Sequence, residues 1–355
     1  MANRRQFFKT LAGATAGMYV MGRGSAANML SAQAARRQIM VGGRRMRVVD
    51  IHQHWDMALP AELVRGTPFE EFSKGGAGLD ERIPLLDKEG IDVGVVGVND
   101  FWWYEATDRG LARAICNVHN ETLGMWHRMH PDRLVGMASV PLQFPDLAAE
   151  MLQDAVERHG ARGVTIGGHV NGENLTLPRF DPFWAKVAEM GELVFMHPNG
   201  SANIIKDDGL AGPGGLGNVV GNPLETTVFL SRLILDGTLD KFPALKVCGA
   251  HGGGFLPSYF GRTEIGTQRG NQKPIFKKPP REYLRSQILA DTMVFSEEGL
   301  RHLVAEMGVS QVVFGTDIPF GWPVNVDLIA NASVLSDAEK EAILGGNLIK
   351  LLRLA

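Results

Sequence analysis

VVDIHQHW (48–55) is the segment on which the reading of this chain turns. Val48, Val49 and Ile51 give it the composition of a buried strand, yet it closes on two histidines one residue apart. In extended backbone, residues i and i+2 point to the same face, so His52 and His54 are expected to project together from one strand end. Seven further segments repeat the apolar run: DVGVVGV (92–98), LVGMASV (134–140), GVTIGGH (163–169), ELVFMHP (192–198), LKVCGAH (245–251), ILADT (288–292) and VVFGTDI (312–318). Nearly continuous hydrophobic runs of this length are expected of parallel strands covered on both faces. Amphipathic stretches separate them, among them 110–130, 146–159, 181–190 and 298–307. Eight strands alternating with helices predict an α/β fold, the (β/α)8 TIM barrel, as one domain over residues 45–355. The glycine-rich passage 209–221 reads as a loop.

Working outward, the 355 residues leave room for a barrel of roughly 250 residues with insertions. Hydrophobic residues make up 45% and the formal net charge is −3, with both signs mixed along the chain. That balance excludes a nucleic-acid footprint and favours a small-molecule partner. Cys116 and Cys248 stand far apart and read as buried thiols. The N-terminus differs from the rest. Arg4 and Arg5 precede a small-residue apolar stretch from Leu11 to Met21, and Ala32-Gln33-Ala34 offers a cleavage site. Residues 1–34 therefore read as a twin-arginine signal that addresses the chain to the export machinery, with a periplasmic or secreted destination. The apolar run is too short and glycine-rich for a stable membrane anchor.

Ionisable residues recur at the C-terminal ends of the strand candidates: His52, His54, His197, His251 and Asp317. That end of a barrel builds the active site. Neutral imidazoles with one carboxylate suit a single divalent metal ion, Zn2+ in the first place, with Mn2+ compatible with the same ligands. His251 precedes Gly252-Gly253-Gly254, which lets backbone and substrate approach closely, and is the candidate general acid/base.

The segments DIHQHW, FMHP, AHGGG and FGTDIPF, with PLETT (223–227) and HGGGFLPSYFGR (251–262), resemble the amidohydrolase superfamily. More narrowly they resemble its branch containing aminocarboxymuconate-semialdehyde decarboxylase and related nonoxidative decarboxylases, over essentially the whole chain after the signal. The resemblance implies that His52, His54, His197 and Asp317 hold the metal, that His251 with Asp317 forms the catalytic pair, and that Arg262 binds a substrate carboxylate across a homodimer interface. Gly167-Gly168-His169 stands where binuclear members carry a bridging lysine, so one metal is expected. A second carboxylate-binding arginine has no clear match; Arg65 is the nearest candidate.

Two further residues are substrate-binding candidates: Trp103, in the aromatic run Phe101–Tyr104 after the second strand, and His169, after the fourth. For both, plain packing or backbone bonding is the competing reading. Asp291 is placed to orient a metal histidine. Trp184 reads as core, while His119, His127, His130, His159 and His302 lie on helical segments where solvated or capping roles are the default. The expected activity is nonoxidative decarboxylation of a small unsaturated or aromatic carboxylate. The alternatives are hydrolysis of a carbon–carbon, ester, lactone or amide bond at the same metal, and a binding protein without catalysis.

Overall fold

The computed structural model describes residues 36–355 except 75, 77–78, 99, 202–203, 206–208 and 270–273. Residues 1–34, read from the sequence as an export signal, lie outside the described residues. Eight parallel strands form the centre: β1 Val49–Trp55, β2 Val93–Val98, β3 Leu134–Gly136, β4 Val164–Ile166, β5 Leu193–Met196, β6 Lys246–Gly249, β7 Ile288–Asp291 and β8 Val312–Val313. Parallel ladders join β1 to β3 in sequence and β4 to β8 in sequence. Single parallel bridges close the two remaining seams, Ala138 to Val164 and Gln53 to Ile318. At the second seam the Ile51 amide donates to the Phe314 carbonyl at 3.0 Å, and the Asp317 amide to the His52 carbonyl at 2.8 Å. The ring of strands is complete, and the fold is the expected (β/α)8 barrel.

A helix follows each strand: α1 Leu79–Glu89, α2 Arg109–Met129, α3 Pro145–His159, α4 Asp181–Met190, α5 Asn222–Leu235, α6 Phe260–Arg269, α7 Glu297–Met307 and α8 Asn347–Leu351. Their boundaries show ordinary capping chemistry. Asp108 accepts the Leu111 amide at the start of α2, and left-handed Gly160 and Gly191 end α3 and α4. Among the described residues no helix is long and apolar enough to cross a membrane.

Alternate residues of each strand face two different apolar layers. Val49, Ile51, Val93, Val95, Val135, Leu193, Leu289 and Val313 pack inside the barrel, and Leu348 and Leu352 close its lower end. Val96, Val98, Val164, Ile166, Val194, Val247 and Val312 face outward against the helices. Both layers are dry, which is why the strand sequences lack polar alternation. Trp184 is core, as expected, and Cys116 and Cys248 are buried free thiols.

Two readings of the chain change. The glycine-rich passage is not all loop, because Gly217–Gly221 forms a π-type turn that runs into α5. His169 does not continue β4; it pairs with Asn174 in a separate two-residue hairpin.

Candidate metal centre

Simple alternation does not explain β1. Val49 and Ile51 point into the barrel, and on an unbroken strand His52 and His54 would point out toward the helices. A β-bulge resolves this: Asp50 pairs with Gly94, but the next pair is Gln53 with Val96, so β1 has one residue more than β2. The extra residue reverses the alternation, and the His52 ring lies 4.9 Å from the inward ring of Phe195. Bulging frees backbone donors, and buried Asp50 collects them. Its carboxylate accepts from the His52 amide at 3.0 Å, the Thr316 amide at 3.1 Å, the Thr316 hydroxyl at 2.5 Å and the Gln53 side chain at 2.8 Å. Burial pushes the Asp50 carboxyl up to about 6, against the pull of these donors. Arg82, itself buried, donates to Gln53 at 3.1 Å and to the His54 carbonyl at 2.6 Å. Asp50 and Arg82 thus fix the strand end from outside the barrel.

The five residues singled out at strand ends converge. Ligand atoms of His52, His197, His251 and Asp317 all lie within 4.8 Å of one another. His54 Nε2 is 2.9 Å from His52 Nε2 and 2.9 Å from Asp317 Oδ1. His251 Nε2 is 3.7 Å from Asp317 Oδ2. Both His251 (φ 57°) and Asp317 (φ 62°) occupy the left-handed region, a strain that non-glycine residues bear where surrounding structure holds them. Asp291 supplies that hold for His251: it accepts the His251 amide at 3.1 Å and the Gly252 amide at 2.8 Å. It also sits 2.6 Å from His52 Nδ1. Gly315 leaves room for this contact, since a Cβ there would stand 2.8 Å from that of Asp291 and 2.9 Å from that of His52.

The electrostatics suit a cation. Burial lowers His54 to about 4 despite Asp317, and burial with three neighbouring rings lowers His197 well below its ordinary value, so both present lone pairs. Burial also opposes charge on His52, but Asp291 and Asp317 outweigh it and push this imidazole up to about 10. Asp317 is buried too, yet the imidazoles of His251, His52 and His54 hold it ionised far below the usual carboxylate range. Among the described residues two buried atoms of the cluster have no hydrogen-bond partner, His197 Nδ1 and His251 Nδ1. Orphaned buried donors and acceptors are costly unless something satisfies them. Neutral His54 and His197, an ionised Asp317 and a second carboxylate behind His52 fit a divalent metal, whose binding would displace the proton that the two carboxylates hold on His52.

Above the cluster lies a cavity of about 390 Å3 walled by Asp100, His197, Asn199, Asn222, Phe320 and Trp322. The sequence pattern of the amidohydrolase family matches residues 49–354. The chain belongs to the amidohydrolase family. It is 32% identical over 299 residues to 2-amino-3-carboxymuconate-6-semialdehyde decarboxylase of Dictyostelium discoideum, covering 82% of this chain and 81% of that one. Against gamma-resorcylate decarboxylase of Rhodococcus jostii it is 28% identical, over 83% and 93% of the two chains. The solved 2,6-dihydroxybenzoate decarboxylase from Rhizobium superposes with a TM-score of 0.74 at 25% identity, over 87% of this chain and 99% of that chain. A dihydroxybenzoic acid decarboxylase from Polaromonas, solved with bound manganese and 2-nitroresorcinol, gives 0.74 at 25% identity, over 87% and 97%.

Within this amidohydrolase the remaining candidates separate. Trp103 is wholly buried and its indole donates to the Val140 carbonyl at 3.0 Å, so it packs under the loop and presents no surface to a substrate. Both ring nitrogens of His169 are engaged by backbone, Nε2 with the Gly200 carbonyl at 3.1 Å and Nδ1 with the Gly172 amide at 3.1 Å; it pins a loop. Arg262 is exposed on α6 and lines a groove with Tyr259 and Ile265, away from the metal cluster of its own chain. Arg65 is exposed beyond the short helix Ala61–Val64.

Glu225, in the PLETT segment, escaped the sequence reading. It is 1% exposed, and its carboxylate accepts the Gly168 amide at 3.0 Å and the Asn199 amide at 2.9 Å, tying the loops after β4 and β5 together. A glutamate one helical turn before Phe229, on the face the apolar residues mark, was the available signal for it. For Asp50 the signal was an aspartate inside an otherwise apolar strand.

Proposed function

We propose that the protein is a metal-dependent nonoxidative decarboxylase of small aromatic or unsaturated carboxylic acids. The placement of His251 carries this reading: its ring borders the donor cluster on one side and an open cavity on the other. His52, His54, His197 and Asp317 would hold one divalent ion, and the bound ion supplies positive charge against the substrate's anionic oxygens. The set suits Zn2+, our first choice, and Mn2+, which the Polaromonas enzyme holds. Nδ1 of His251 is sealed from solvent, which leaves Nε2 to exchange a proton. Asp317 Oδ2 stands 3.7 Å from that nitrogen, and His251 gives its proton to the carbon bearing the carboxylate. The bond from that carbon to the carboxylate then breaks, its electron pair returns to the unsaturated system, and carbon dioxide leaves. One proton is gained and one carbon dioxide lost, so no redox partner is required. His251 recovers its proton from solvent.

We also propose export through the twin-arginine route to the periplasm or beyond, on the order of charge, apolar run and cleavage site in residues 1–34. A homodimer is the proposed assembly. Tyr259 (67% exposed) and Ile265 (56% exposed) flank Arg262 on an apolar surface, which a second copy would cover while receiving the arginine.

The test is metal content beside carbon dioxide release from 2,6-dihydroxybenzoate and related hydroxybenzoates, for wild type and Asp317→Ala. About one divalent ion per chain is expected, with ion and activity both lost in the variant. Two ions per chain, or carbon dioxide release persisting in metal-free Asp317→Ala, would overturn the reading.

A further inference from the structure

A second cavity, of about 430 Å3, opens on the other side of His251. Its walls come from the segment before α5, the loop after β6, the loop after β7 and helix α7. They are mostly apolar, with Val219, Pro223, Phe255, Met293, Val294 and Leu303, and Asn218 and Ser258 as polar members. Among the described residues, His302 is the only ionisable residue lining it besides His251. Asn218 and Trp322 line both this cavity and the one above the donor cluster, so the two cavities adjoin along these residues. At the rim, Phe295 is held at a left-handed φ of 52° with its ring stacked on Trp322, centroids 5.4 Å apart and planes 27° from parallel. Phe295 (43%), Val219 (51%) and Phe255 (38%) stay exposed there.

Resting on the decarboxylase reading, we infer that this cavity is a specificity pocket for an apolar substituent of the substrate, an alkyl chain or second ring, with His302 meeting a polar group at its far end. Three observations support this occupant. The polar cavity over the metal ligands already has the size and chemistry for a hydroxylated carboxylate ring. An unsubstituted ring would leave the apolar cavity beyond His251 wetted, which is unfavourable for walls of valine, methionine, leucine and phenylalanine. Strained backbone at Phe295 places an aromatic pair at the junction between the cavities, where it would cover a substituent passing through.

The experiment measures equilibrium binding to the metal-loaded full chain by Trp322 fluorescence and calorimetry, in parallel with carbon dioxide release. The probes are a hydroxybenzoate and the same acid carrying, opposite the carboxylate, a hexyl chain, a phenyl ring or a hexyl chain ending in a hydroxyl. Wild type should bind the hexyl and phenyl acids at least tenfold more tightly than the parent. Val219→Trp, which fills the cavity from its exposed rim, should reduce that ratio to near unity. His302→Leu should keep the hexyl advantage and lose the preference for the hydroxyl-ended chain. Equal affinity for parent and hexyl acids in wild type overturns the inference, as does a ratio unchanged in Val219→Trp. A Val219→Trp change in oligomeric state with the ratio intact, read by light scattering, overturns it in favour of a subunit contact. Tighter hexyl binding without carbon dioxide release from any acid supports the pocket while removing the decarboxylase reading.

Discussion

The two ends of the barrel are built from the same strands and obey opposite rules. At the lower end, Val49, Val93, Val135, Leu193 and Val313 meet in a dry layer closed by Leu348 and Leu352. At the upper end, the same strands carry His52, His54, His197, His251, Asp291 and Asp317, nearly all buried. Burying that many ionisable groups is unfavourable unless each is bonded or joined to an ion. The lower end contributes hydrophobic stability, and the upper end draws on it to hold strained, polar geometry in place. Stability and chemistry should therefore be separable by mutation at the two ends.

The largest expected effect lies at the upper end. His251→Asn should lower kcat by about 10²–10⁴-fold, the usual range for general acid/base work, with metal content unchanged by elemental analysis. Comparable loss of metal would instead make His251 a ligand and blur the division between His251 and His54. At the lower end, Leu348→Ala should cost about 2–5 kcal/mol in chemical denaturation, as cavity-forming core substitutions do, while kcat of the folded fraction stays near wild type. A matching drop in kcat would mean that the two ends are coupled.

Asp291→Asn acts between these extremes. It weakens the carboxylate behind His52 and should reduce metal affinity by about 10–100-fold, the range for partners of ligand histidines, measured by competition with a chelator. Smallest is a pH effect at Glu225. Burial raises this carboxyl from 4.5 to about 7, so between those values the folded chain binds a proton that the unfolded chain does not. Its contribution is fully present below pH 4.5 and falls as pH rises through about 7. Glu225→Gln keeps an acceptor for the Gly168 and Asn199 amides and should flatten that part of the stability profile, read from thermal melts across pH. An unchanged slope would assign the pH dependence to other buried carboxyls such as Asp50.

Some of the upper end was readable in one dimension. A histidine or aspartate that interrupts an apolar strand must be compensated, and five such residues at strand ends marked the donor cluster in the sequence. Asp291 was readable as an orienting carboxylate for the same reason. Residue type alone misled at loops and helices. His119, taken for a solvated or capping residue, is buried against Trp102 and Trp103, and burial lowers it to about 3. His302 borders a cavity, and Trp103 turned from the mouth to the core. Helical periodicity states that a face is buried, but not what lies opposite it.

The sequence by itself determined the strand count, the barrel class and the residues of the donor cluster, because each follows from local apolar patterning and residue chemistry; the family was legible in the resemblance of its motifs. Only the tertiary structure decided the bulge that turns His52 and His54 inward, the Asp50 clamp between β1 and β8, the Glu225 tie between two loops and the apolar cavity beside His251. Each of these depends on contacts between segments far apart in the chain. Asp50 and Thr316, 266 residues apart, meet only when the barrel closes. No local propensity encodes such a meeting; it is set by the geometry of closure.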